Sequence, residues 1–419
     1  MVRRKHDAGR RVRAQQDQAA SGPPIIHRHD VRGHEIAMTE NRQLRLGMVG
    51  GGPGSFIGPV HRMGALLDGR FTLAAGAFSR TPEKCREQGV RWGVDPERSY
   101  VSWEDMITGE RMRPDGIDAL AIVTPNYMHY PVAHAALRAG LPVICDKPVT
   151  TTLEEAEQLR ALVRESGVPF AITYTYAGYA MIREARARIA AGALGAIRKI
   201  VVEYWQGWLA TSVETENLQA QWRTDPNQAG AGGCIGDIGT HAFHLAEYVT
   251  GLRVKALCAD LPRVVPGRTL DDDCSVLLRF QDDQPGLLAA SQVATGERNG
   301  LRLRVYGETG GLEWCHEHPD RLRLLWPDAR EEILYQGGIG LSDAARRGTR
   351  LPAGHPEGFI EAFATLYQDF ADVISAGTCP DTNGFLPCIE DGVRSMHFIE
   401  AAIKSHATRS WHILEDCLP

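Results

Sequence analysis

The amino-acid sequence predicts an α/β protein in two parts: a doubly wound parallel sheet with its helices, then an α+β domain carrying a large, mainly antiparallel open sheet. Three observations predict it. Between residues 42 and 166, short apolar runs alternate with helical stretches, as in a parallel sheet with crossover helices. Two of the runs end in polar residues where such a sheet opens its ligand crevice, at 124–129 and at Asp146-Lys147. From residue 197 onward, strand-like runs follow without that regular alternation, and several have the one-sided pattern of antiparallel strands.

A chain of 419 residues exceeds one ordinary core, and two domains are expected, at 42–166 and 167–410. An apolar fraction of 43%, a charged fraction of 23% and a net charge of -6 describe a globular protein with no bulk charge for nucleic acid or anionic membrane. No apolar run approaches the length of a membrane-spanning helix. The nine cysteines are scattered and contain no C-x-x-C pair, which favours reduced thiols in the cytoplasm. Residues 1–41 are Arg- and Gln-rich without apolar periodicity, and are read as a disordered extension, or as an over-extended reading frame with Met38 as the true start.

The run 44–49 is the first buried strand, and Gly50, Gly52, Gly54, Ser55, Phe56 and Ile57 follow it. Glycines between a strand and a helix allow a tight turn and bring backbone N–H groups against a pyrophosphate, the Rossmann arrangement. The spacing departs from G-x-G-x-x-G, because five residues separate Gly52 from Gly58. The second strand, 71–78, closes at Ser79 and Arg80, a hydroxyl and an arginine suited to a 2′-phosphate, so the reading is NAD(P) with a lean toward NADP. A further strand, 117–123, ends in Thr124, Pro125, Asn126 and His129, which face the same crevice as Asp146 and Lys147. Lys147, at the end of a strand and fixed by Pro148, is the expected proton-transfer group, and the X-Pro bond there is a cis candidate.

The second chemical motif is the glycine-opened stretch 230–251, in which Asp237 and His241 stand four residues apart on one helix face, with Gly251 as the cap. An acid and an imidazole so placed can bind hydroxyls and exchange a proton. Asp271-Asp272-Asp273 reads as a solvated turn before a strand, and the Cys315-His316-Glu317-His318 cluster as a surface turn; no metal site is expected.

Together the 50–61 loop, Thr124-Pro125-Asn126 with His129, Asp146-Lys147-Pro148, and Gly232-Gly233 with Asp237-x-Gly239-x-His241 resemble the Gfo/Idh/MocA oxidoreductases, the glucose-fructose oxidoreductase and inositol dehydrogenase group. The likeness runs from about residue 44 to about residue 405, with Asp146 standing where the family usually has Glu. It implies that Lys147 and His241 are the proton-transfer pair, that Asp237 orients substrate hydroxyls, and that Asn126 and His129 lie near the nicotinamide ribose. Substrate contacts are expected from Tyr174, Tyr176, Tyr179, Arg183, Trp222, Arg223 and His355. The implied activity is NAD(P)-dependent oxidation of a secondary hydroxyl of a sugar, cyclitol or glycoside, by a homodimer or homotetramer joined through the second sheet. A redox-elimination glycosidase using the same site, with His241 or a tyrosine as base, and a non-catalytic nucleotide sensor are the alternatives.

Overall fold

The structure, a computed structural model, describes residues 42–379 and 384–414; the 1–41 extension lies outside them. Five parallel strands form the first sheet: β1 Leu44–Gly50, β2 Phe71–Ala77, β3 Ala119–Val123, β4 Val143–Cys145 and β5 Phe170–Ile172, in the order β2-β1-β3-β4-β5. Strands β3, β4 and β5 are buried at every residue, which is why they read as unbroken apolar runs rather than alternating ones. A parallel bridge from Gly76 to Ser99 extends the sheet beyond β2. The chain therefore runs outward on one side of β1 and returns to β3 on the other. At that reversal the carboxyl ends of β1 and β3 part and leave a crevice.

One expectation is corrected here. Residues 170–172, expected to lie in the second domain, pair in parallel with β4, Val143 opposite Phe170 and Cys145 opposite Ile172. A boundary at residue 166 thus cuts off the last strand of the first sheet.

The second sheet has nine strands: β6 Ile197–Trp205, β7 Val254–Asp260, β8 Asp273–Phe280, β9 Pro285–Ser291, β10 Gly300–Gly307, β11 Gly311–Cys315, β12 Arg321–Leu325, β13 Glu331–Tyr335 and β14 His412–Ile413. Their order is β13-β12-β11-β10-β6-β9-β8-β7-β14. Only the β6–β9 pair is parallel. Along β6, Ile200, Val202 and Tyr204 are buried while the residues between them are partly exposed, and Leu301, Leu303 and Val305 repeat the pattern on β10. The inner face packs against the helices Ala180–Ala190, Thr240–Thr250 and Ile389–Thr408. Each aliphatic side chain buried there contributes about 1.5–3 kcal/mol.

The helix Phe359–Ala376 returns to the first sheet and lies along the helix Ile57–Leu67. The approach is close: a Cβ on Gly64 would stand 2.7 Å from Phe363 Cβ. His61 Nδ1 pairs with Tyr367 Oη at 2.9 Å, and Arg350 Nε donates to Asp68 at 2.7 Å.

Candidate active site

The glycine loop is dictated by close backbone approach. Gly50, with φ of 95°, could not carry a Cβ, which would lie 2.7 Å from the Val123 carbonyl oxygen. A Cβ on Gly52 would meet the Phe78 carbonyl oxygen at 2.5 Å, and one on Gly58 would meet Gly51 Cα at 2.3 Å. Gly58 therefore lets the Ile57–Leu67 helix seat on the turn despite the longer spacing. Ser55 Oγ accepts the Gly58 N–H at 3.2 Å.

Above this loop lies a cleft of about 350 Å³, lined by Gly50, Gly51, Gly52, Gly54, Ser55, Ile57, Ser79, Thr124, Pro125, Asn126, Asp146 and Lys147 among others. Thr124 Oγ1 is buried there without a hydrogen-bond partner. Glycine backbone, a helix N-terminus and a spare hydroxyl at the strand-order reversal fit a nicotinamide dinucleotide.

Three residues expected at the cofactor sit elsewhere. Arg80 is exposed beside the cleft and does not line it, whereas Lys84 does. Phe56, 60% exposed, faces the neighbouring cavity. His129 is buried, its ring nitrogens 2.7 Å from the Pro148 carbonyl and 3.0 Å from that of Thr124, so it ties two loops together instead of reaching the cleft. Asn126 lines the cleft and donates to the Ala229 carbonyl at 2.9 Å, joining it to the glycine-opened segment.

Lys147 stands just past the end of β4, joined to Pro148 by a cis peptide bond. The Asp146 carboxylate accepts the Lys147 N–H at 2.8 Å and the Thr173 hydroxyl at 3.0 Å. Lys147 Nζ donates to Asp237 Oδ1 at 2.7 Å and to the Asp237 carbonyl at 2.6 Å. The other carboxylate oxygen of Asp237 accepts from Gln292 Nε2 at 2.9 Å and lies 3.3 Å from Arg223 Nε. Burial alone would raise the Asp237 carboxyl, but the Lys147 and Arg223 charges hold it well below the usual carboxylate range. His241 is one turn further on. Burial first, then the Lys147 charge, push its imidazole well below its ordinary value, so it is neutral at pH 7.

Asp237 lies in a π-helical turn, Ile235–Gly239, that leads into the Thr240–Thr250 helix. The Asp271 carboxylate accepts the N–H groups of Gly233 and Ile235, both at 2.7 Å, and its burial raises the carboxyl to about 6. Asp272 likewise holds the Val264 and Val265 N–H groups. The first two acids of the 271–273 run are therefore buried braces, not a solvated turn.

Lys147, Asp237 and His241 also line a second cavity, of about 590 Å³. Tyr176, Tyr204, Asn299 and His316 form its far wall. Tyr204 Oη donates to Asn299 Oδ1 at 2.7 Å and shares a hydrogen bond with Tyr176 Oη, while His316 Nε2 meets Tyr179 Oη at 2.9 Å. His316 thus leaves the expected surface turn and faces the cavity. Arg223 lines both cavities, but Trp222 lines only the cofactor cleft.

The remaining substrate expectations are corrected. Tyr174 is buried behind His241, edge-on to it and stacked on His244. Arg183 is fully buried, donating to the Ala177 carbonyl and to Asp369. His355 is exposed in a turn, beside the Pro352 carbonyl. Sequence reasoning missed Gln292, Tyr204, Asn299 and His316 as site residues, and none of them carried a local signal.

Comparison with known proteins agrees with this architecture. Residues 44–174 match the model of the oxidoreductase family with an NAD-binding Rossmann fold, and residues 182–313 match the GFO/IDH/MocA C-terminal domain. An inositol dehydrogenase homologue from Azotobacter vinelandii, solved with NAD+, is 38% identical with a TM-score of 0.85, over 89% of this chain and 97% of that one. An uncharacterized oxidoreductase from Bacillus subtilis, YfiI, is 35% identical over 87% of this chain and 95% of its own length. Levoglucosan dehydrogenase, solved with NADH and levoglucosan, is 26% identical with a TM-score of 0.76, over 90% of this chain and all of that one. The lean toward NADP finds no support in the two solved structures, which hold NAD+ and NADH. With both segments matched in chain order, residues 44–174 are an NAD-binding Rossmann domain, and the protein belongs to the GFO/IDH/MocA family of oxidoreductases.

Proposed function

We propose that the protein is an NAD-dependent dehydrogenase that oxidises a secondary hydroxyl of a sugar or cyclitol. The observation that carries this reading is Lys147, whose side chain lines both the dinucleotide cleft and the second cavity. The nicotinamide, when bound, supplies the hydride acceptor. As the neutral amine, Lys147 Nζ takes the hydroxyl proton in oxidation, becoming the ammonium that returns it in reduction. His241, kept neutral, is able to accept that proton in turn. Asp237, kept ionised, fixes the lysine and accepts from a second hydroxyl. The aromatic and amide wall of Tyr176, Tyr204 and Asn299 suits a polyhydroxylated ring. Neighbours solved with myo-inositol and with levoglucosan support that substrate class.

Tyr176, pushed up to about 12 by burial, stays protonated at neutral pH and offers no phenolate to act as base, which weighs against a tyrosine-driven elimination. The outer face of the second sheet exposes Leu277, Tyr306 and Ile333, which supports a dimer or tetramer formed there. Sizing by light scattering checks that. The scattered thiols suit a cytoplasmic setting.

The test is incubation with NAD or NADP and a panel of inositols, sugars and aryl glycosides, following reduced nicotinamide and released aglycone. Reduced nicotinamide accumulating with one polyol, at a higher kcat/KM for NAD, is the expected result. Aglycone release without net reduction would replace the dehydrogenase by a redox-elimination glycosidase.

A further inference from the structure

On the far wall of the second cavity, the direction of each hydrogen bond follows from Trp208, because an indole N–H can only donate. Trp208 Nε1 stands 2.9 Å from the Gln206 side chain, so Gln206 turns its Oε1 to the indole and its Nε2 to Asn299, 2.7 Å away. The Asn299 atom that meets it is therefore the acceptor, Oδ1. That oxygen also lies 2.7 Å from Tyr204 Oη, and two bare acceptors at such a distance would repel. The single phenolic proton of Tyr204 is thus spent on Asn299. Tyr204 Oη has only lone pairs left for its second neighbour, so the hydrogen bond between the two tyrosines takes its proton from Tyr176. The other end of the Asn299 amide agrees, its Nδ2 aimed at Tyr176 Oη at 3.4 Å as a donor at an acceptor.

His316 closes the wall on the same terms. Its Nδ1 lies 3.1 Å from the Asn299 backbone carbonyl, which fixes the ring proton on Nδ1, and burial lowers the imidazole so that it is neutral at pH 7. Its Nε2 is then bare and accepts the Tyr179 hydroxyl at 2.9 Å. Main-chain bonds hold the start of the relay in place: the Gln206 N–H donates to the Ser291 carbonyl at 2.8 Å and the Leu209 N–H to the Gln292 carbonyl at 3.0 Å.

We propose that Trp208 is a positioning residue whose N–H orders this relay and leaves the Tyr176 and Tyr204 hydroxyls as acceptors only, so that the site selects a substrate ring whose free hydroxyls donate to them. The assignment rests on the sugar or cyclitol reading above and deepens it. A free hydroxyl on the facing carbon satisfies the wall. A fluorine or a methoxyl at the same carbon accepts without donating, sets acceptor against acceptor, and is rejected. Neither phenol escapes this by turning its proton round, because doing so breaks a hydrogen bond further up the relay.

Neutron diffraction from deuterium-exchanged crystals of the full chain tests the relay without a substrate. The Tyr204 deuteron should point at Asn299 Oδ1 and the Tyr176 deuteron at Tyr204 Oη; a Tyr204 deuteron directed at Tyr176 or into the cavity overturns the proposal. Calorimetric titration of the NADH-loaded protein with myo-inositol and with levoglucosan, and with the deoxyfluoro and O-methyl counterparts of each, tests the consequence. At one ring position at least, either replacement should cost about tenfold or more in affinity. Trp208→Phe removes the donor that orients Gln206. Gln206→Glu offers acceptors to both neighbours, turns the Asn299 amide round and frees the Tyr204 proton. Both variants, checked for folding by circular dichroism, should cut that discrimination to about threefold or less, whereas a merely structural role would weaken the hydroxyl and fluoro ligands alike. Equal affinity for hydroxyl and fluoro ligands in the unaltered protein, or undiminished discrimination in both folded variants, overturns the proposal. If neither polyol binds, it is the sugar or cyclitol reading that falls, and the deuteron positions still decide the relay.

Discussion

The two cavities that meet at Lys147 are built differently. The dinucleotide cleft is mostly main chain, made where β1, β2, β3 and β4 end and glycines admit close approach. The neighbouring cavity is mostly side chain, gathered from the 56–57 turn, 146–147, 175–176, 204–241, 298–316 and 359–363. A backbone site is defined by local conformation and tolerates few shapes of loop. A side-chain site is defined by register between distant strands, and its lining can change residue by residue without disturbing the fold. One family can therefore keep a common cofactor while its members differ in substrate.

Removing Lys147, which lines both cavities, should have the largest effect. Lys147→Met is expected to lower kcat by about 10³-fold or more while leaving NAD affinity within a few-fold, as checked by steady-state rates and fluorescence titration. Unchanged turnover would remove the central assignment. Altering the cleft alone should do the reverse: Gly58→Ala forces a Cβ against Gly51, costs about 1–3 kcal/mol and weakens NAD binding at least tenfold, while the far wall of the second cavity keeps its hydrogen bonds. Chemical unfolding and a cofactor titration measure both parts.

Asp271→Asn turns one acceptor toward a backbone N–H into a donor. It should cost about 1–3 kcal/mol in unfolding and raise the substrate KM more than the NAD Kd, because the turn it braces carries Asp237. A fourth test uses pH. Burial holds His61, under the cleft, at about 4, against roughly 6.5 in the unfolded chain. Between those values only the unfolded state takes up the proton, so this histidine lowers stability as pH falls from about 6.5 toward 4, by up to about 1.4 kcal/mol per unit. Urea unfolding at pH 7 and pH 5 should show a smaller loss in His61→Gln than in the unaltered protein. The smallest effect is expected from Tyr176→Phe, which leaves the Tyr204–Asn299 bond in place and should raise substrate KM about threefold to tenfold without moving the NAD Kd.

The same contrast explains what could be read in the sequence. The parallel sheet and the open second sheet follow from apolar runs and alternation. The meeting of Lys147 with Asp237 follows from a strand end and a glycine-opened helix, both short-range signals. His316, Asn299 and Gln292 gave no such signal. Their approach depends on β6 pairing with β10 on one side and β9 on the other, Trp205 opposite both Gly300 and Ser291. Arg183 and His355 misled for a related reason: a polar residue near a chemical motif looks the same whether it meets a ligand, a buried Asp369 or water. Residues 170–172 misled because a buried three-residue run has no periodicity to say which sheet it joins.

The seating of the Phe359–Ala376 helix on the Ile57–Leu67 helix has a consequence for biosynthesis. On the ribosome, the last strand of the first sheet is complete at Ile172, but the partner of its first helix is finished only at Ala376. At typical elongation rates, roughly 10–40 s pass before those two hundred or so residues emerge. Throughout that interval the nascent chain carries an uncovered apolar stripe around Val60 and Gly64, an address for a chaperone until its own carboxyl-terminal third arrives.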